Sequence, residues 1–214
     1  MPDATTRDIP SDAATGADLL AIARAEATPS HAIRERGLVE AIPELAALAS
    51  TPQDPEWHPE GDVLVHSLGA ADLAAAYAVV HGVDDDRRAL LVLAALFHDI
   101  GKPDTTRRRD GRIISHGHAE RGAQVIRSMG RRLRLPQSLV IAAAAITETH
   151  MAPASVQGEP SARAVRRLRA RLEAAGTSLD DWAIVVRCDG AARSSAARPD
   201  ASVPWVRVAQ TLDR

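Results

Sequence analysis

A single cysteine, Cys188, stands in the whole chain. An intramolecular disulfide is therefore excluded, as is a zinc site built from several thiolates. The expected compartment is a reducing one. Aromatic residues are nearly as scarce, at 2% of 214 residues. Sequence-tolerant binding of single-stranded nucleic acid leans on aromatic stacking platforms. Any nucleic acid is thus expected to be met at a phosphate or an end, not along a run of stacked bases. No stretch approaches the roughly 20 apolar residues of a bilayer-spanning helix, and the N-terminus lacks the basic and apolar regions of a secretory signal. A formal net charge of −2 argues against a generally basic, nucleic-acid-coating surface. Together these absences point to a soluble cytoplasmic protein with no membrane partner.

Apolar residues are plentiful, at 45%, so one substantial core can form. Residues 1–16, "MPDATTRDIPSDAATG", are small and polar and are expected to be a disordered tail. Helical spacing begins at 17 and runs over 17–27 and 32–49, where Leu38, Ile42, Leu45 and Leu48 share one face. "STPQDPEWHPEGD" breaks it. A long helix is expected from about Val63 to His81, and another from "DDD" at 84–86, which suits the positive end of the helix dipole, to Ile100. Residues 102–116 are polar and rich in arginine and read as loop. Helices follow from about Gly117 to Arg132, from Pro136 to about His150, and near 162–175 and 179–193, the last capped by Ser178. "RIIS" at 112–115 is the nearest thing to a strand. The pattern is all-α.

"AALFHDIGKP", residues 94–103, ends an apolar helix on an imidazole and a carboxylate. A buried His98–Asp99 pair carries a desolvation cost unless something compensates it, and a divalent cation would. A capping or core pair is the other reading. His66 lies early in one expected helix, His118 begins another, His150 ends another and Asp189 lies in the last. Ligands on facing helices can converge on one core site. Each residue also has a plainer role open to it. His150 can serve the helix dipole, His116 and His118 can be surface polar residues, His58 can be a loop residue, and Asp189 can pair with Arg193 one turn on.

His66, "HD" at 98–99 and a distant Asp189 resemble the H…HD…D signature of the HD-domain metal-dependent phosphohydrolase superfamily. The blocks "TPQDPEWHPEGDVLVHSL", "LAALFHDIGKPDTT", "SHGHAERGAQVI" and "RRLRLP" are similar to the HD domain of bacterial CCA-adding tRNA nucleotidyltransferases, over roughly residues 35–195. The resemblance implies an all-α, single HD-domain helical bundle over residues 17–214. It implies metal ligands His66, His98, Asp99 and Asp189, with His118 and His150 as the added ligands of two-metal members. Two departures stand out. Upstream of residue 35 the sequence holds no room for a nucleotidyltransferase head, so CCA addition is not expected. "CDGAARSS" also replaces the family's usual Ala-Asp-x-x-Gly-Arg-like stretch.

A mixed nitrogen and oxygen donor set suits Mn, Ni, Co, Fe or Zn, with Mg possible, as one or two ions. With two ions, Asp99 is the natural bridge. Asp99, Lys102 and His118 are the expected catalytic residues. Lys102 is also expected to contact phosphate, beside Arg107, His116 and Arg193 as substrate-binding residues, although Lys102 and the run Arg107–Arg109 also read as exposed cations. "RRLR" (131–134) and "RAVRRLRAR" (163–171) read as exposed faces that can contact an RNA backbone. The expected substrate is a nucleotide or an RNA 3′ end, with 2′,3′-cyclic phosphodiesterase and 2′-phosphatase activity leading. A non-catalytic RNA-end-binding module and a nucleotide-level hydrolase stand behind it. A homodimer is left open.

Overall fold

A computed structural model of the chain describes residues 11–213. The protein is all-α apart from one small hairpin. Its helices are α1 (Asp12–Ala25), α2 (Pro29–Glu35), α3 (Leu38–Ala41), α4 (Pro43–Ala49), α5 (Val63–Val80), α6 (Asp85–Phe97) and α7 (Lys102–Thr105). Strands β1 (Arg107–Arg109) and β2 (Arg112–Ile114) follow. Then come α8 (His118–Arg132), α9 (Gln137–Thr149), α10 (Ala162–Ala174), α11 (Leu179–Ala191) and α12 (Val203–Leu212).

The starts of the long helices are written in side-chain oxygens. Asp62, Asp84, Ser161 and Ser178 each accept a hydrogen bond from the backbone N–H three residues on, at the heads of α5, α6, α10 and α11. Each such cap stabilises a helix by about 1 kcal/mol relative to alanine. The axis of the fold is α6. Every residue from Ala89 to Phe97 is buried, and the helix packs against α1, α5, α9 and α11. A helix apolar on all sides belongs in such a position. Helix α5 is its main partner. At 18 residues it is long and apolar enough, by length and composition, to cross a membrane, which the count of apolar runs did not anticipate; 56% of it is buried inside the protein.

The structure departs from the sequence expectations in five places. Helix α1 begins at Asp12, not 17, because Ser11 caps it, and Thr15 and Gly16 are buried; the expected tail at 1–10 lies outside the described residues. The stretch 32–49 is three short helices, because Gly37 sits at φ +67 and Pro43 restarts the chain. Helix α6 ends at Phe97, not Ile100. The expected loop at 102–116 instead holds the short helix α7 and, over 107–114, a hairpin. Asp110 and Gly111 have φ of +50 and +77, the two left-handed positions of a tight turn that Asp-Gly favours. Helix α12 went unseen.

One close approach fixes the corner beyond α6. A Cβ on Gly101 would fall 2.2 Å from the carbonyl oxygen of His118 and 2.5 Å from the nitrogen of Gly122. The turn after His98–Asp99 therefore lies directly on the first turn of α8. Gly101→Ala is expected to cost about 1–3 kcal/mol or more, as overpacking does, and to lower the midpoint of thermal unfolding. A midpoint equal to the parent protein's would show that this contact is looser than described.

Candidate metal centre

The last carbonyls of a helix have no partner within it, and two of the site histidines use them. His98 caps the C-terminus of α6, and its Nδ1 lies 2.7 Å from the Ala95 carbonyl. His150 caps α9, with Nδ1 2.6 Å from the Thr147 carbonyl. His118, first residue of α8, places Nδ1 2.7 Å from the Ser115 carbonyl. A carbonyl only accepts, so each Nδ1 carries the proton, and each Nε2 faces inward. His66 on α5 is held likewise, its Nδ1 2.8 Å from Glu60 Oε1. Burial works against the charge on Glu60, but hydrogen bonds from His66 and His58 outweigh it and hold its pKa at about 2.

The inward nitrogens meet in two groups. In the first, His66 Nε2 lies 3.2 Å from His98 Nε2 and 3.2 Å from Asp189 Oδ1 of α11. In the second, His118 Nε2 lies 3.2 Å from His150 Nε2 and 3.2 Å from Asp99 Oδ1. The other oxygen of Asp99, Oδ2, is 3.2 Å from His98 Nε2. Asp99 thus faces both groups, one oxygen to each. The trios His66–His98–Asp189 and Asp99–His118–His150 each have donor atoms close enough to hold one ion. In the neutral rings, Nε2 has a lone pair and no proton. Two such nitrogens at 3.2 Å cannot bond to each other and need a proton or a metal cation between them.

The electrostatics fit that requirement. Burial raises the pKa of Asp99 and of Asp189, yet neighbouring cations and imidazoles drive both well below the usual carboxylate range. For Asp99 the strongest of these is Lys102; for Asp189 it is the hydrogen bond with His66. His150 is pushed down to about 3 by burial and by His98 and His118, which leaves it a neutral donor. Burial also opposes charge on His66, but hydrogen bonds with Asp189 and Glu60 overcome it and raise its pKa to about 9.

All six expected ligands converge, and two of the four expected substrate contacts join them. Lys102 Nζ donates to Asp99 Oδ2 and to Gln53 Oε1, each at 2.7 Å. Arg193 Nη2 donates to Asp189 Oδ1 at 2.9 Å. Both line a cleft of about 280 Å³ that opens over the two groups. Arg107 is not there. It lies on β1, and its guanidinium folds back onto the carbonyls of Thr106 and Asp104. His116 is not there either. It is exposed in the turn before α8 and lines the neighbouring cleft. Sequence reasoning read His58 only as a loop residue and passed over Glu60, Gln53, Trp57 and Arg198. His58 and Arg198 line the same cleft, and the Arg198 guanidinium stacks 3.8 Å from the Trp57 ring.

Residues 63–182 match the HD domain family, more than half of the chain. The chain belongs to the HD domain family. Five of the six converging ligands fall inside the matched segment; Asp189 lies just beyond it. HD domains are metal-dependent phosphohydrolases, and this protein is one at that level. The chain is similar to the Multifunctional CCA protein of Halorhodospira halophila, with 38% identity over 131 residues, 59% of this chain and 29% of the relative. It is 35% identical over 129 residues to that of Cupriavidus metallidurans, 58% of this chain and 29% of the relative. To that of Tolumonas auensis it is 32% identical over 111 residues, 51% and 24% of the two chains. The chain therefore spans less than a third of the length of these curated relatives.

The donor chemistry of this HD domain fits divalent metal. Four imidazoles oriented by their far nitrogens and two ionised carboxylates make a mixed set suited to first-row transition ions. Without an ion, the proton on His66 stabilises the first group. It persists up to about pH 9, and an incoming ion must displace it. Apparent metal affinity is thus expected to rise with pH and to level off near 9, with about one proton released per ion in that group at pH 8. Calorimetric titration of the metal-free protein with Mn²⁺ in buffers of differing ionisation enthalpy measures this. Affinity independent of pH between 7 and 9 would contradict the His66 assignment.

Proposed function

We propose that this HD domain opens 2′,3′-cyclic phosphates on nucleotides or RNA 3′ ends and removes the 2′-phosphate that remains. The observation that carries the reading is the bridging position of Asp99, between two ligand groups and beneath a cleft walled by Lys102, Arg193 and Arg198. We take residues 17–214, together with the start of α1, as one phosphohydrolase unit. The proposed metal ligands are His66, His98 and Asp189 in one group and His118 and His150 in the other, with Asp99 shared. A divalent ion held there would supply Lewis acidity toward water and toward phosphoryl oxygen.

The side chains supply binding and orientation. The Lys102 ammonium and the Arg193 guanidinium are placed to take non-bridging phosphate oxygens, the charge-assisted contacts that phosphoryl transfer needs most. Gln53 holds Lys102 in place and Asp189 holds Arg193. In the first step an oxygen from water bonds to phosphorus, the bond to O3′ breaks, and O3′ takes a proton. In the second, an oxygen from water bonds to the phosphorus of the 2′-phosphate, the bond to O2′ breaks, O2′ takes a proton and inorganic phosphate leaves. The similarity of the sequence blocks to HD domains of CCA-adding enzymes supports an RNA-end or nucleotide phosphoester as substrate. The small volume of the cleft supports a strand end over a duplex.

Purified protein assayed with Mn²⁺, Co²⁺ or Ni²⁺ is expected to hydrolyse 2′,3′-cAMP and 2′-AMP, and to lose activity on chelation. Asp99→Ala is expected to lower turnover at least about a hundredfold with an unchanged circular dichroism spectrum. Turnover of dAMP alone would move the assignment to a nucleotide-level hydrolase. RNA-end binding without turnover under any metal would leave a non-catalytic module.

A further inference from the structure

A second cleft adjoins the metal centre, and nothing above uses it. Its volume is about 670 Å³, and it shares Ser115, His118 and Met151 with the smaller cleft over the ligands. The smaller cleft, at about 280 Å³, falls below the range of about 300–1,000 Å³ typical of sites that enclose an organic ligand. It suits a phosphate and its immediate oxygens. The rest of a nucleotide needs room elsewhere, and the adjoining cleft borders it along these three shared residues.

The larger cleft has the walls a nucleoside needs. Ile114, Val156, Leu168 and Trp205 give it apolar surface. Met151 lines both clefts and is 40% exposed although large and apolar. An exposed thioether is an adaptable surface for a flat ring.

One wall also carries unneutralised charge. Helix α10 presents arginines at 163, 166, 167, 169 and 171. Arg169 pairs with Glu173 and Asp213, and Arg171 pairs with Glu148. Arg163, Arg166 and Arg167 have no acidic partner among the described residues. Arg163 and Arg167 are one turn apart and share a face, and Arg167 lines the cleft. Free guanidinium groups beside an apolar cleft match a base followed by a phosphodiester.

Resting on the reading given under Proposed function, we propose that this cleft seats the terminal nucleoside of an RNA strand while Arg163 and Arg167 hold the phosphodiester just upstream. The site is short, one nucleoside and one phosphate, in keeping with the scarcity of aromatic side chains for stacking more. RNA is favoured over an acidic peptide because the cleft borders a centre that handles phosphoesters.

The test titrates the full chain into 5′-fluorescein-labelled penta-adenylate, which carries no terminal phosphate to remove, and reads fluorescence anisotropy. The double variant Arg163→Glu/Arg167→Glu and, separately, Ala164→Trp, which narrows the cleft from α10, are each expected to weaken binding about tenfold or more. The arginine pair is also expected to lower kcat/KM for ApA 2′,3′-cyclic phosphate by a larger factor than for 2′,3′-cAMP. Unaltered binding in both variants overturns the proposal even if the parent protein hydrolyses both nucleotides. Weakened binding, with no hydrolysis of either nucleotide by the parent protein, supports the RNA site and removes the substrate assigned to the metal centre.

Discussion

The arrangement depends on one carboxylate. Asp99 lies at the turn that ends the most buried helix of the fold, with each of its two oxygens 3.2 Å from an imidazole of a different group. A buried anion in that position is untenable alone. It is compensated on one side by Lys102, while imidazoles whose protons have been drawn to their far nitrogens turn lone pairs toward it on the others. The same orientation that leaves bare nitrogens facing Asp99 also sets those nitrogens against one another. The pocket is therefore a balance of charges that closes only when something positive occupies it.

The helical frame serves this balance. His98 and His150 each end a buried helix and donate to a carbonyl that the helix leaves over, so the backbone itself selects the tautomer. His118 reaches the same geometry from a helix start, through the carbonyl of Ser115. His66, buried near the start of α5, is oriented by Glu60 from the preceding loop instead. Four histidines thus present the same nitrogen by three local routes, and Gly101 lets the turn behind Asp99 press against α8 closely enough to bring the two groups together.

Much of this was legible in the sequence, and for identifiable reasons. A polar pair at the end of an eight-residue apolar run advertises its own desolvation problem, and acids and serines before the helices mark their starts. What was illegible depended on chain direction through irregular segments. His58 and Glu60 sit in a proline-rich loop with no period to read. Arg107 seemed close to the site because it is close in sequence, yet the Asp-Gly hairpin turns it back onto its own preceding turn. His116 and His118 are two residues apart, and only entry into α8 at Gly117, at φ +78, separates the exposed ring from the buried one. Trp205 belongs to α12, an amphipathic helix that lies beyond the last segment in which the sequence was read for helical spacing.

Facing lone pairs also have a practical consequence. A cavity lined by inward imidazole nitrogens and charged oxygens scavenges whichever suitable ion it meets first, and the relative affinities of such donors follow the element more than the protein. The ion recovered with a purified sample is then a record of the growth medium and the column, and its identity describes provenance before it describes preference.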